Sequence, residues 1–299
     1  MKETVDGSPR PAVGEPPGGP PTVSVVIPAY NSADFVGRAI ESALQQTHRP
    51  LEIIVVDDGS SDSTADVVAR YPVTLIRQAN GGPASARNAG VRASRGEWIA
   101  FLDHDDFWHP NKTEVQIGLI RDRVDAVFCP KEAGTGQITF DQMYWRNLGG
   151  NPSSAIIRRE ALVALDLFDD DRALIGVEDY NLWLRFLLAG FRFVHSEALY
   201  DFTPAPGHYS GQPDKMLAAE LANIDKISAL AGLSPSIVAE RKRRARLHYL
   251  PSLIYQRYLP MARRQLRALG MDRRALPYWY VLLPRWLLDL KRRLRLAQR

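Results

Sequence analysis

The chain has 299 residues, 45% of them hydrophobic and 24% charged, an ordinary composition for a folded chain of one large domain or a domain with an appendage. A single cysteine, Cys129, excludes an internal disulfide, and no Cys/His grouping offers a zinc site. No apolar run reaches the roughly 20 residues of a membrane span, and no basic stretch followed by an apolar core opens the sequence, so no signal peptide and a cytoplasmic location are expected. The net charge of +4 hides an asymmetry: residues 236–299 carry 17 Lys and Arg against three Asp and Glu.

Residues 1–21 contain six prolines and four glycines and are expected to be disordered, because they cannot bury enough surface to offset their ordering entropy. Thr22–Ile27 then reads as a buried, β-branched strand. A helix follows Ser32, with Phe35, Val36, Ala39, Ile40, Ala43 and Leu44 on one face. Leu51–Val56, Val73–Arg77 and Trp98–Leu102 are further strands, alternating with helices over Ser63–Arg70 and Ala84–Ser94. That alternation predicts βαβ units and an α/β, Rossmann-like, mostly parallel sheet flanked by helices.

Pro110 opens another helix as its first-turn residue. Ala126–Cys129 and Ser153–Ile157 are expected strands, and residues 130–150 show no readable period. Val177–Ala189 is a helix closed by Gly190, and Phe191–Val194 rejoins the sheet. From Met216 the pattern is helical, with interruptions expected at Pro235, Pro251, Pro260, Pro277 and Pro284. The expected organisation is a tail over 1–21, a catalytic domain over 22–215 and a basic helical region over 216–299.

Ligands of open parallel sheets bind outside the carboxyl ends of the strands. Three such ends carry polar clusters: Pro28-Ala29-Tyr30-Asn31, Asp57-Asp58-Gly59-Ser60 and Asp103-His104-Asp105-Asp106. An Asp-Asp-Gly alone is most simply a turn. Acidic clusters at two strand ends on one sheet edge repel each other unless a cation or hydrogen-bond donors offset them. Without His/Cys spacing, the carboxylates suit a hard ion such as Mg²⁺ or Mn²⁺, which commonly bridges protein to a substrate diphosphate.

Four segments, Val-Ser-Val-Val-Ile-Pro-Ala-Tyr-Asn (23–31), Val-Val-Asp-Asp-Gly-Ser-Ser-Asp (55–62), Ala-Arg-Asn-Ala-Gly (86–90) and Gly-Glu-Trp-Ile-Ala-Phe-Leu-Asp-His-Asp-Asp (96–106), resemble a family-2 glycosyltransferase in order and spacing. The resemblance covers about residues 22–210. It implies the GT-A fold, a nucleotide-sugar donor (a UDP-sugar first), inversion at the anomeric centre and a Mn²⁺ or Mg²⁺ cofactor. Carried over, Tyr30 lies beside the base, with Pro28 shaping that loop. Asp58 accepts a hydrogen bond from the base, Asp57 holds the turn, and Arg87 lies near the nucleotide. Asp103-His104-Asp105 matches the DxD motif: Asp103 at the ribose and metal, Asp105 on the metal, His104 a spacer. His208 stands where many such enzymes place a late metal-side histidine, although the usual Arg-x-His pattern is absent.

Inversion by direct displacement needs a base to take the acceptor hydroxyl proton. Gly176-Val-Glu-Asp-Tyr-Asn matches the family's Glu-Asp motif, which makes Asp179 the base and Glu178 its neighbour. The plain alternatives are a core-capping Tyr30, a surface ion pair for Arg87, a loop role for His208 and acidic residues favoured by a helix dipole. The Gln-x-x-Arg-Trp motif of processive members is absent, which favours addition of one sugar.

The basic C-terminus points to an anionic partner, a membrane surface or a nucleic acid, with a solvated helical face as the plain alternative. Trp286, Leu287, Leu290, Leu294 and Ala297 share one helical face, with Lys291, Arg292, Arg293, Arg295 and Arg299 largely elsewhere, after the aromatic cluster Tyr278–Leu283. This resembles a helix lying on an anionic bilayer, so a peripheral place on the inner face of the cell membrane and a saccharide or lipid-linked acceptor are expected. The competing readings are packing of that helix on the protein, and a nucleic-acid- or membrane-binding protein with an inactive GT-A domain. Nucleic acid is not expected, since a binding module has no need of the acidic strand ends.

Overall fold

The computed structural model describes residues 20–120, 124–129, 138–203 and 209–282. Two compact units divide the chain, Met1–His208 and Tyr209–Arg299. The disorder expected of the N-terminal tail concerns residues that, but for the last two, lie outside the described set.

The first unit is built on a seven-stranded sheet. Its chain order is β1 (Val23–Ala29), α1 (Val36–Leu44), β2 (Glu52–Asp57), α2 (Thr64–Val68), β3 (Thr74–Arg77), α3 (Pro83–Ala93), β4 (Trp98–Phe101), β5 (Phe107–Trp108), α4 (Lys112–Gly118), β6 (Ala126–Phe128), α5 (Phe140–Trp145), β7 (Ala155–Arg158), α6 (Arg159–Ala164), α7 (Glu178–Leu188), β8 (Phe193–His195) and β9 (Tyr200–Asp201). The strand order is β3-β2-β1-β4-β7-β6-β8. All pairs are parallel except those of β7, which runs against both β4 and β6.

β1 is buried along its whole length, as a near-continuous run of Val and Ile requires when helices cover both sheet faces. α3 lies close to that sheet because Gly90 permits it: a Cβ there would come 2.3 Å from Val26 Cγ1. Register then fixes the site. Ala29 pairs with Asp57 and Val26 with Phe101, so the residues following β1, β2 and β4 leave the sheet at one edge.

Three features carry no signal in the sequence pattern. The stretch 130–150 contains a helix, α5, opened by a capping box between Thr139 and Gln142. β5 and β9 form a separate two-stranded sheet, pairing Phe107 with Asp201 and Trp108 with Tyr200. Lys112 is fully buried, its ammonium 4.1 Å from the Trp108 ring centroid and 2.7 Å from Gln116 Oε1. Burial pulls its pKa down to about 8.

The second unit contains α8 (Pro213–Leu230), α9 (Pro235–Tyr255) and α10 (Leu259–Leu269), followed by a 3₁₀ turn over Leu276–Leu282. Leu217, Ile224, Leu250, Leu253, Leu266 and Val281 form its core. Pro235 and Pro260 stand in first helical turns. Pro251 does not interrupt α9: the helix continues through it on both sides. Much of the α9 charge is met within the unit. Arg241 pairs with Glu220 at 2.7 Å, Lys242 with Asp225 at 2.5 Å, and Arg244 with Glu240 at 2.9 Å. Arg243 pairs with both Glu240 and Asp272. The amphipathic segment from Pro284 onward lies outside the described residues. Among those described, no helix is long and apolar enough to cross a membrane.

Candidate active site

The loop after β1 is stapled to the loop after β2. Asn31 adopts a left-handed conformation, φ 46°, which an asparagine tolerates better than most residues. Its amide donates to Ser60 Oγ at 2.9 Å, and its Oδ1 accepts from the Ser61 amide at 2.9 Å. Tyr30 is thereby held with its side chain outward, 48% exposed, rather than capping the core. Asp57 closes the β2 turn by accepting from the Ser60 amide at 2.9 Å.

Asp58 organises the approach to α3. Its Oδ1 accepts from Gln78 Nε2 (2.7 Å) and the Gly81 amide (2.9 Å), and its Oδ2 from the Gly82 amide (2.8 Å). Gly82 has φ +92°, a conformation in which a side chain would be strained.

α3 carries the central cation. Arg87 is buried, and its Nη1 and Nη2 donate to Glu178 Oε1 and Asp103 Oδ1, each at 2.8 Å. Its guanidinium carbon lies 5.5 Å from the Phe168 ring centroid. Burial works against its charge, but Asp103 and Glu178 more than offset that, so its pKa is raised. This is no surface ion pair. It joins the acidic loop after β4 to the first turn of α7. Replacing Arg87 with alanine leaves two mutually repelling, largely buried carboxylates without a counter-charge. The expected cost is about 3–5 kcal/mol in urea unfolding, and a loss under about 1 kcal/mol would contradict the bridge.

At the start of α7, Glu178 Oε2 accepts from the Gly176 amide at 2.7 Å. Asp179 Oδ1 accepts from the next amide, Tyr180, at 2.6 Å. Burial, then the Glu178 and Asp103 charges, push the Asp179 pKa up to about 7, while the Tyr180 amide and Arg87 work the other way. The Tyr180 hydroxyl lies 2.7 Å from the Met143 carbonyl and 2.9 Å from that of Tyr144, fixing α7 to α5. Removing that hydroxyl in Tyr180→Phe leaves the carbonyls to be satisfied otherwise, at an expected cost of about 1–2 kcal/mol in thermal unfolding.

The β4 loop carries the remaining carboxylates. The Asp103 amide donates to Ser153 Oγ at 2.9 Å, and His104 Nδ1 lies 3.3 Å from the Pro28 carbonyl, turned toward the β1 end. Asp106 is buried and accepts from Asn151 Nδ2 (3.0 Å) and the Thr203 amide (3.1 Å). Burial and the charges of Asp103 and Asp105 push its pKa up to about 7. Burial is the larger cause of that rise, and the Ser153 and Thr203 hydrogen bonds oppose it.

Among the described residues no three His, Cys, Asp or Glu side chains are grouped to enclose a metal ion. Asp103 and Asp105 are carboxylates of the kind that would hold a hard divalent ion together with substrate phosphates and water. The hard oxygen chemistry fits Mn²⁺ or Mg²⁺. His208 lies outside the described residues.

Of the expected site residues, Arg87, Asp103, Glu178 and Asp179 thus form one interacting cluster, and Pro28, Tyr30, Asp58 and Asp105 occupy the same sheet edge. Sequence reasoning passed over Asn151, Ser153, Tyr180 and Thr203. No motif marks them, and only tertiary pairing to the acidic loop and to α5 reveals their place.

This edge, with acidic loops after two parallel strands and an acidic pair opening a later helix, is the arrangement of a GT-A glycosyltransferase. The chain belongs to glycosyl transferase family 2, whose family model matches residues 24–173. It is 35% identical over 199 residues to an uncharacterized glycosyltransferase of Rickettsia typhi, covering 60% of this chain and 63% of the relative. It is 47% identical over 166 residues to the succinoglycan biosynthesis protein ExoO of Rhizobium meliloti, covering 53% of this chain and 44% of that one. The chain thus spans less than two thirds of these relatives' length. Among solved structures, it resembles the mannosyltransferase PcManGT from Pyrobaculum calidifontis in complex with GDP-Man and Mn²⁺. That likeness has a TM-score of 0.61 at 21% identity, over 97% of this chain and 84% of the other. TarS 1-349 of S. aureus, in complex with UDP-GlcNAc, gives 0.59 at 20% identity, over 86% and 78%. At such identities the likeness establishes the shared fold.

Proposed function

We propose that this protein is an inverting glycosyltransferase that moves one sugar from a nucleotide-sugar, a UDP-sugar, to an acceptor hydroxyl in polysaccharide or glycolipid assembly. The observation that carries this reading is the Arg87 bridge, which locks the donor-side Asp103 to the helix bearing Asp179. A donor carboxylate and a base near neutrality are thereby kept in one fixed cluster, as direct displacement requires.

In this reading, Tyr30 lies against the base in the loop shaped by Pro28, Asp58 borders the base through the loop it organises, and Arg87 and Asp103 flank the nucleotide. Asp179 takes the acceptor proton at its carboxylate while Glu178, anchored on Arg87 and the Gly176 amide, keeps the helix start in place. Asp103 and Asp105, with His208, would hold the divalent ion, which when bound takes up charge on the departing diphosphate. Polysaccharide assembly is supported by the likeness to a succinoglycan biosynthesis protein. The basic C-terminal region would bring the enzyme to the inner face of the cell membrane, where a lipid-linked acceptor is at hand.

Hydrolysis of a panel of UDP-, GDP- and dTDP-sugars, with Mn²⁺ and with EDTA, tests the reading. Mn²⁺-dependent release of sugar from one donor is expected. No release from any donor, together with tight binding of a DNA duplex, would favour an inactive domain.

A further inference from the structure

The second unit carries a cationic stripe that its own carboxylates do not neutralise. α10 buries Ala262, Gln265, Leu266 and Leu269, leaving Pro260, Arg264, Arg267 and Ala268 on its outer side. The exposed chain continues through Met271 to Arg273. Whereas Arg241, Lys242, Arg243 and Arg244 of α9 pair with Glu220, Asp225, Glu240 and Asp272, Arg264, Arg267 and Arg273 make no ion pair among the described residues. Burial, and then the like charge of Arg264, disfavour the charged form of Arg246 on α9, against the pull of Asp225, which also pairs with Lys242. Arg246 Nε is buried without a hydrogen-bond acceptor. An external anion would stabilise cations that no carboxylate of the unit meets.

The stripe is not purely polar. Met271 is 75% exposed between the arginines, and Leu276 beyond them is 46% exposed. Apolar side chains set among cations gain nothing against the phosphates of a duplex, but they gain by entering the boundary between headgroups and acyl chains of a bilayer. We propose that this face, Arg264, Arg267 and Arg273 with Met271 and Leu276, docks on an anionic phospholipid surface. The inference deepens the membrane placement above but uses no residue beyond Leu282. It leaves the chemistry of the first unit untouched, so the two can fail separately.

The test is co-sedimentation of the full chain, at low salt, with phosphatidylcholine vesicles containing about 30% phosphatidylglycerol, and with pure phosphatidylcholine vesicles. The parent should partition to the anionic vesicles alone. Neutralising each arginine should weaken that partition about fivefold, so Arg264→Ala/Arg267→Ala/Arg273→Ala should lose about 100-fold. Met271→Ser should weaken it without altering the salt dependence. Donor hydrolysis in solution should be equal in all variants. Should the triple variant lose helical dichroism, Arg267→Gln, at an exposed position, supplies the comparison. Partition of these variants equal to the parent's would overturn the proposal, as would tighter parent binding to a short DNA duplex than to the anionic vesicles.

Discussion

Asp179→Asn is expected to lower sugar transfer by roughly 10²–10⁴ while leaving nucleotide-sugar binding intact, because the amide keeps the shape and loses the basicity. The parent's rate should rise with pH through the neutral range, since burial and Glu178 hold the Asp179 pKa near 7 and only the ionised form accepts a proton. Stability should move the other way. A carboxyl with a raised native pKa keeps its proton in the folded state after the unfolded chain has lost it. Stability therefore falls as pH climbs from the ordinary carboxylate range to about 7. The asparagine variant escapes that penalty, so at pH 8 it should melt no lower than the parent. A variant that transfers sugar at the parental rate would return Asp179 to the role of a helix-dipole partner.

Asp105→Ala should abolish divalent-dependent turnover, with the fold checked by circular dichroism, because Asp105 is a half-buried carboxylate of the acidic loop after β4. The sharper readout is binding: titration with Mn²⁺ in the presence of UDP should show saturation for the parent and at least a tenfold weaker response for the variant. Normal transfer by this variant in EDTA would refute the metal assignment.

Local pattern carries much of this fold. The β-branched runs of β1 and β2, the βα alternation and the acidic strand ends are periodic or positional signals, and each stands in the structure near its expected residues. What pattern does not carry is decided by distant partners. Strands β5 and β9 are two residues each and exist only because Trp108 and Tyr200 meet across more than ninety residues of chain. α5 lacks a full amphipathic turn and is held by its capping box and by Tyr180. No pattern marks Lys112 for burial, and only the fold sets its ammonium against Trp108 and Gln116. The site divides in the same way. Asp103, Glu178 and Asp179 lie in motifs, whereas the bridging geometry of Arg87, reaching across 91 positions, needed the fold. Pro251 gave the opposite lesson, since a breaker by local rule sits inside a long helix whose neighbours hold it.

The central claim, inverting transfer from a nucleotide-sugar with Asp179 as the base, has one direct measurement. Proton NMR of the reaction with the α-linked donor that the panel selects resolves the anomer released first, before mutarotation. Displacement with Asp179 deprotonating the incoming hydroxyl predicts the β-anomer first, and only Asp179→Asn among the folded variants should suppress it without loss of donor binding. Initial release of the α-anomer would contradict the account.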